Sequence, residues 1–441
     1  MKKIIFLLLI AVFDLFEGSA QTKQDSIVNV LMQQQKWFDV RDYLTQNKDS
    51  ISEVFYLSAK SVLDSYSNSP DSAIMNIGTL LNLHKLDGNA SLSFALLMVN
   101  NLAQIQKYNE AIDLLNDILR QVGGALPKSN IDNLNFWMSS LEFYKNYPYR
   151  VVLNEQSPTE TDFEMLQNDG LGLEGKANGV KLQFIFDTGS SFNRISKETA
   201  NRIGIHTYLP DTVCTNSRIR VLKGIIDSVE IGNVAIYNCP VDVSFEKQNL
   251  PINQITQENK ERIINYMDSS SYKNIIGIST LKLLGIINVD FIKKKLSFEE
   301  VKSTTQYSGN LFIINNSPYL YTTLNSHPFI SLFDTGSKGT FLNKEYYDRN
   351  KEHFDLKDEQ LYKISAYGYD TLAIMEYKKL NDMKLNTNNH QFNLTNVMVA
   401  IKAPFIYAPD APVPDGIIGN DFFKMLKSMR LDFKNMCFTF E

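Results

Sequence analysis

The sequence predicts two kinds of domain in one chain, an α-helical N-terminal domain followed by an all-β part built as two similar halves. Three observations lead there. Apolar residues recur at helical spacing through residues 21–146, as in Ala95, Leu96, Val99 and Leu102, then Ala111, Ile112, Leu114, Leu115, Ile118 and Leu119. The apolar run Phe184-Ile185-Phe186 ends in Asp187-Thr188-Gly189-Ser190, and Ser331-Leu332-Phe333 ends in Asp334-Thr335-Gly336-Ser337. The flanks of these two stretches repeat as well, which marks an internal duplication.

The duplication is followed by offset. A shift of 147 carries Ser196-Lys197-Glu198 onto Asn343-Lys344-Glu345, each reading as a helix start with an N-cap and an acid in the first turn. Ile275-Ile276-Gly277 matches Ile417-Ile418-Gly419 at a shift of 142. That shift holds to the end, setting Val289-Asp290-Phe291 on Leu431-Asp432-Phe433 and Leu296-Ser297-Phe298 on Phe438-Thr439-Phe440. The order in both halves is therefore strand, Asp-Thr-Gly, helix, long β region, apolar-apolar-Gly, helix and final strand. The halves span 171–305 and 306–441.

This arrangement resembles the aspartic proteases of the pepsin and retropepsin type, over about residues 170–441. The resemblance implies a bilobal all-β fold in which each lobe supplies one Asp-Thr-Gly loop and an apolar-apolar-Gly segment crosses behind it. It implies an aspartic endopeptidase, a polypeptide substrate held extended between the lobes, and no cofactor or metal. Asp187 and Asp334 are the candidate catalytic residues. Two carboxyls held close together cannot both ionise, so one serves as base while its partner keeps a proton. Thr188 and Thr335 have hydroxyls suited to bonding across the lobe junction. Gly189 and Gly336 permit close backbone approach. Ser190 and Ser337 stand where the family places a hydroxyl against the outer oxygen of its own aspartate. The alternative is a non-catalytic peptide-binding or adaptor protein retaining the fold; the complete set in both halves weighs against it.

A cover over the cleft is expected in about 214–226 and 364–378. Tyr367-Gly368-Tyr369 is the candidate flap tip, while the corresponding first-half stretch, Thr215 to Gly224, has no Tyr, so which flap closes is left open. Helices are expected over 279–285 and 420–428, with Met425, Leu426 and Met429 in the core. Turns are expected at Asn178-Gly179 and at Asn325-Ser326-His327-Pro328. An insertion at 246–272 reads as a solvated surface excursion or a piece of the cleft rim, and the proline-rich stretch Ala403 to Pro414 reads as a loop near the groove.

The N-terminal 20 residues read as a signal peptide, with Lys2-Lys3 before a ten-residue apolar core and small residues at Gly18-Ser19-Ala20. The mature protein is thus expected to be exported, periplasmic or secreted, with no transmembrane segment. The helical domain breaks at Asn68-Ser69-Pro70, Asp87-Gly88-Asn89 and Gly123-Gly124. Asp71-Ser72-Ala73-Ile74 resembles Asn109-Glu110-Ala111-Ile112, and Tyr108 to Ile112 is similar to the second helix of tetratricopeptide hairpins. It is read either as a docking surface for a protein partner or as a packed scaffold. With 11 Lys and Arg against 13 Asp and Glu in residues 22–150, it is no basic pro-segment. A polar linker is expected at 147–170.

The net charge of -5 leaves no basic footprint for nucleic acid. Cys214 and Cys239 lie in the same half, where export permits a disulfide, and Cys437 is expected to be a buried thiol. The five histidines show no ligand spacing.

Overall fold

The computed structural model describes residues 22–83, 86–154, 160–166, 170–208, 221–244, 274–299, 309–368, 371–387, 390–402 and 411–441. The expected signal peptide, the insertion at 246–272, Cys214, Tyr369, the part of the first expected flap up to 220 and most of the stretch from Ala403 lie outside those residues. The described residues divide into two compact units, one of 22–148 with 411–413, the other holding the remainder.

The first unit is helical: α1 Lys23–Gln33, α2 Trp37–Asn47, α3 Glu53–Tyr66, α4 Pro70–Leu83, α5 Gly88–Gln104, α6 Tyr108–Val122 and α7 Lys128–Tyr144. The three expected breaks each separate two helices. Thr22 caps α1 through a reciprocal pair, its hydroxyl accepting from the Asp25 N–H at 3.0 Å while Asp25 Oδ2 accepts from the Thr22 N–H at 3.1 Å. The other Asp25 oxygen accepts from the Ser52 N–H at 2.8 Å, which ties the start of α1 to the start of α3. The periodic positions are the inward ones. Leu96, Val99 and Leu102 on α5 meet Ala111, Ile112, Leu115 and Ile118 on α6, with Leu134, Trp137 and Leu141 on α7. No described helix is long and apolar enough to cross a membrane.

The second unit is β-rich. Its first repeat contains β3 Leu171–Ala177, β4 Val180–Asp187, β5 Arg194–Ser196, β7 Val221–Ile231, β8 Val234–Ser244, β9 Asn274–Gly277, β10 Ile286–Asp290 and β11 Lys295–Glu299. The short β6, His206–Tyr208, lies against β7. The second repeat contains β12 Leu311–Ile314, β13 Ser317–Leu324, β14 His327–Phe333, β15 Phe341–Asn343, β16 Tyr362–Gly368, β17 Thr371–Lys379, β18 Met383–Thr387, β19 His390–Leu394, β20 Met398–Lys402, β21 Gly416–Ile418, β22 Ser428–Asp432 and β23 Cys437–Phe440. The pairings repeat with the sequence. β4 runs parallel to β9, and β14 parallel to β21. β5 lies antiparallel to β9 and parallel to β8; β15 lies antiparallel to β21 and parallel to β20.

The repeats join through β10 and β22, paired antiparallel with Asn288 opposite Arg430. These two residues are equivalent under the shift of 142, and the pairing is symmetric about them: Ile286 faces Asp432 and Asp290 faces Ser428. A local twofold axis therefore passes between Asn288 and Arg430, whose Nη1 donates to Asn288 Oδ1 at 3.0 Å. Apolar side chains of both repeats merge into one core, with Phe184, Phe186 and Ile276 from one and Phe333, Ile418 and Phe422 from the other.

The two expected hairpin turns are two-residue turns with both central residues left-handed, φ 48° and 77° at Asn178 and Gly179, 47° and 69° at Asn325 and Ser326. The second is shorter than expected: His327 and Pro328 already belong to β14. The two asparagines, 147 apart, do the same work. Asn178 donates to the Ile203 carbonyl at 3.0 Å and accepts from the Ser228 N–H at 3.0 Å. Asn325 donates to the His353 carbonyl at 3.1 Å and accepts from the Lys384 N–H at 2.9 Å.

Four further expectations are corrected. The segment 147–170 is not a plain linker, because β1 Arg150–Leu153 pairs with β8 and β2 Glu160–Met165 bridges β11 and β3. Phe163 is the one fully inward side chain of β2, too sparse an apolar signal to read beside its acidic neighbours. The helices after the apolar-apolar-Gly runs are single turns, Ile278–Leu281 and Asn420–Phe423, since the chain must leave at once to form β10 and β22. Met425 is 38% exposed, whereas Leu426 and Met429 are buried. Ser196 caps its helix through Thr199 N–H, but the equivalent Asn343 turns its amide to the Pro414 carbonyl instead.

Replacing Asn178 or Asn325 by Ala removes a left-handed-tolerant residue and two hydrogen bonds. Each should destabilise the β unit by about 1–3 kcal/mol, read as a lower urea midpoint at unchanged slope. Changes below about 0.5 kcal/mol, the range of an ordinary surface substitution, would show that these turns carry no register information.

Candidate active site

The two Asp-Thr-Gly loops leave the ends of β4 and β14 and meet. The Thr188 hydroxyl donates to the Phe333 carbonyl at 2.6 Å and accepts from the Thr335 N–H at 3.1 Å. The Thr335 hydroxyl donates to the Phe186 carbonyl at 2.8 Å and accepts from the Thr188 N–H at 3.0 Å. Both threonines are fully buried, so each hydroxyl satisfies two main-chain groups that would otherwise be stranded.

This lock sets how closely the loops pass. A Cβ on Gly189 would lie 2.2 Å from Asp334 Oδ1, and one on Gly336 would lie 2.6 Å from Asp187 Oδ1. Each glycine thus leaves the space that the opposite carboxyl fills. Each carboxyl is also anchored in its own loop. Asp187 Oδ1 accepts from the Gly189 N–H at 2.9 Å and the Ser190 N–H at 3.1 Å. Asp334 Oδ1 accepts from the Gly336 N–H at 2.8 Å and the Ser337 N–H at 3.0 Å.

The serines differ from expectation. Ser190 Oγ donates to the Phe192 carbonyl at 2.8 Å and Ser337 Oγ to the Gly339 carbonyl at 3.0 Å. A serine hydroxyl readily closes such a local turn, and here it is the serine N–H that reaches the carboxylate.

Behind the loops lie residues that the sequence reading did not single out. The Gly277 N–H donates to Asn193 Oδ1 at 3.0 Å, and Asn193 Nδ2 reaches Thr280 Oγ1 at 2.6 Å. In the second repeat the Gly419 N–H donates to Thr340 Oγ1 at 3.3 Å, and that hydroxyl donates to Asp421 Oδ1 at 2.7 Å. Asn193 and Thr340 stand 147 apart, so the offset was the signal that would have found them. The loop carbonyls are tied down by Ile278 N–H to Ser190 O at 2.8 Å and Asn420 N–H to Ser337 O at 2.8 Å.

Electrostatics follow from burial and proximity. Burial raises both carboxyls above the ordinary 3.8, and main-chain N–H groups oppose it in each. For Asp334 the charge of Asp187 adds to burial, and it is pushed up to about 7; Arg194 works against burial on Asp187. The pair therefore keeps one proton well above the usual carboxylate range, shared between the two carboxyls. Burial also raises Asp421.

Of the candidate flap residues, Tyr367 and Gly368 end β16, which pairs with β17 as a hairpin, Tyr367 opposite Leu372 and Gly368 opposite Thr371. Cys239 is a buried free thiol pushed up to about 12 by burial, and Cys437 is also buried. Among the described residues no group of three His, Cys, Asp or Glu side chains is placed to hold a metal ion.

Residues 173–258 match the family model of aspartyl proteases. Among solved structures, the chain is similar to a retropepsin-like aspartic protease from Rickettsia conorii at 17% identity, over 34% of this chain and 94% of that one, with a TM-score of 0.22. It is similar to EIAV protease in complex with the inhibitor HBY-793 at 18% identity, over 28% and 92%, with a TM-score of 0.18. Basic 7S globulin from soybean aligns at 8% identity over 66% and 97%, with a TM-score of 0.35. A comparison with curated proteins finds no match.

A raised native carboxyl makes stability fall as pH rises. Below about 4 Asp334 is protonated folded and unfolded alike. Between about 4 and about 7 the unfolded chain releases the proton and the folded one retains it, so stability drops and then levels off. Urea unfolding from pH 4 to 8 should show this decline in the β unit, and Asp334→Asn should make it shallower, the raised carboxyls of Asp187 and Asp421 contributing the remainder. An unchanged decline in that variant would exclude the pair as its source.

Proposed function

We propose that the chain is an aspartic endopeptidase, its two β repeats acting as the two lobes of a pepsin- or retropepsin-like enzyme that holds an extended polypeptide between them. The observation that carries this reading is the mutual fit of the two loops, in which each glycine makes room for the other loop's carboxyl. The family match over residues 173–258, which contain the first of these loops, supports the same reading.

The chemistry follows from one shared proton. Asp187, whose anion the Gly189 and Ser190 N–H groups and then Arg194 favour against burial, takes a proton from a water bound between the carboxyls. The water oxygen adds to the scissile carbonyl carbon as Asp334 gives its proton to the carbonyl oxygen. Collapse of the gem-diol then returns a proton to the leaving nitrogen, and the C–N bond breaks. The pair ends with one proton, as it began. The N–H groups of Gly189, Ser190, Gly336 and Ser337 keep both carboxyls in place throughout.

The β16–β17 hairpin is the flap of the second lobe in this reading. Residues 1–20 direct export to the periplasm or medium, which fractionation of producing cells tests: a mature chain retained in the cytoplasm would refute it. The helical unit stays attached, as a packed scaffold beside the β repeats in sequence or as a surface for a protein partner. A full-length enzyme that cleaved short peptides only after losing this unit would show an inhibitory segment instead.

Incubation with a mixed peptide library over a pH series should give cleavage that a statine-containing peptide blocks, with a bell-shaped profile belonging to the pair. Asp187→Asn and Asp334→Asn should each reduce kcat/KM by about 100- to 10,000-fold with the fold retained. Near wild-type turnover in either variant would eliminate the shared-proton mechanism, and a folded wild-type protein that cleaves no peptide would leave a peptide-binding role. Gly189→Ala should fail similarly, through displacement of Asp334.

A further inference from the structure

The duplication is unequal at one position beside the paired carboxyls. In the first repeat Arg194 opens β5, seven residues after Asp187. Its neighbour Ile195 is in the core, so by strand alternation Arg194 belongs to the opposite face. Arg194 pairs with Ile275 on β9, and Ile275 pairs in turn with Ile185, two residues before Asp187. Two strand spacings, roughly 10 Å, thus separate the backbone of Arg194 from the strand that carries Asp187.

The shift of 147 sets Phe341 on Arg194. The surroundings are equivalent: Phe341 pairs with Ile417 as Arg194 pairs with Ile275. The chemistry is not. Phe341 joins Met375 and Ala400 in a small apolar cluster separate from the main core, with Tyr377 edge-on at 6.5 Å and Met398 packed against it. Arg194 is half-buried and, among the described residues, has no hydrogen bond or ion pair to its guanidinium. The nearest candidate on the adjoining strand, Asp242, is already held by Lys223 Nζ at 2.6 Å. Lys223 also lies over the Phe192 ring at 5.1 Å; among the described residues Lys223 and Asp242 are already engaged with one another, and Asp187 is the charge that Arg194 acts on.

A half-buried guanidinium keeps part of its hydration only while the groove is open. A peptide lying over it removes that water, and the loss is offset only by a counter-charge. A carboxylate matches the planar guanidinium in two parallel hydrogen bonds, whereas a cationic side chain there is repelled.

We propose that Arg194 determines specificity by receiving a carboxylate of the extended peptide on the side of the first repeat, while the Phe341 cluster receives an apolar side chain on the side of the second. This rests on the reading that a peptide lies between the repeats, and it adds which peptides: those with an acidic residue on one side of the reacting bond and an apolar one on the other.

The test separates recognition from cleavage. Binding of fluorescent peptides is measured on the full chain carrying Asp334→Asn, using pairs that differ only by Glu or Gln at each position, each with a free or an amidated C-terminus. One position should favour Glu by about 10- to 100-fold. Persistence of that preference after amidation assigns it to a side chain, and its disappearance assigns it to the chain terminus. Arg194→Gln should abolish the preference, and Arg194→Glu should invert it toward Lys, an inversion that a merely structural role would not produce. Equal binding of Glu and Gln peptides at every position, or a preference that survives Arg194→Gln, would overturn the proposal. Parallel cleavage assays with the Asp334-intact chain keep the two readings apart. Acid-selective binding without cleavage contradicts the endopeptidase and upholds Arg194, whereas cleavage with no acid selectivity does the reverse.

Discussion

Two buried threonine hydroxyls, each donating to a carbonyl of the opposite repeat and accepting an N–H from it, hold the β unit at its centre. Everything else about the site depends on this exchange. It brings the loops close enough that no side chain fits at Gly189 or Gly336. It fixes two half-buried carboxyls against one another, and it does so with neutral groups. A lock made of charges would have set its own field on the pair; hydroxyls leave the proton sharing to burial and to the carboxyls themselves.

The lock is supported from behind by an economy of form with different residues. Asn193 and Thr340 do the same job, each accepting the N–H of the glycine that ends the apolar-apolar-Gly run. They then find different partners, Thr280 in one repeat and Asp421 in the other. The two halves thus keep their geometry while their chemistry drifts apart, most visibly at Arg194 and Phe341. The same drift makes the surroundings of the two carboxyls unequal: Arg194 acts against burial on Asp187, and no arginine stands at the equivalent position of the second repeat.

The repeat was legible because its signals are local and strong. Asp-Thr-Gly after an apolar run, Asn in a left-handed turn and apolar-apolar-Gly each state a backbone requirement that few residues meet. The helical breaks were legible for the same reason, as at Pro70, where the ring suits a first helical turn. What escaped was nonlocal. β2 has one inward side chain and earns its place by edge pairing with β11 and β3, which no periodicity reports. The serine hydroxyls were misassigned because a turn offered them a nearer acceptor than the carboxylate. Asp421 and Asn193 were invisible as single residues, since their meaning lies in partners about 80 positions away.

The central claim is that the two carboxyls share one proton, and carboxyl-carbon NMR of the protein labelled at aspartate measures it directly. Two coupled steps should appear, both above the ordinary carboxylate value and the upper one well above it, with both signals responding to both steps. In Asp334→Asn the high step should vanish, leaving Asp187 to titrate alone and lower than the upper step of the pair. Two independent titrations near the ordinary value of 3.8, unaffected by that substitution, would contradict the account.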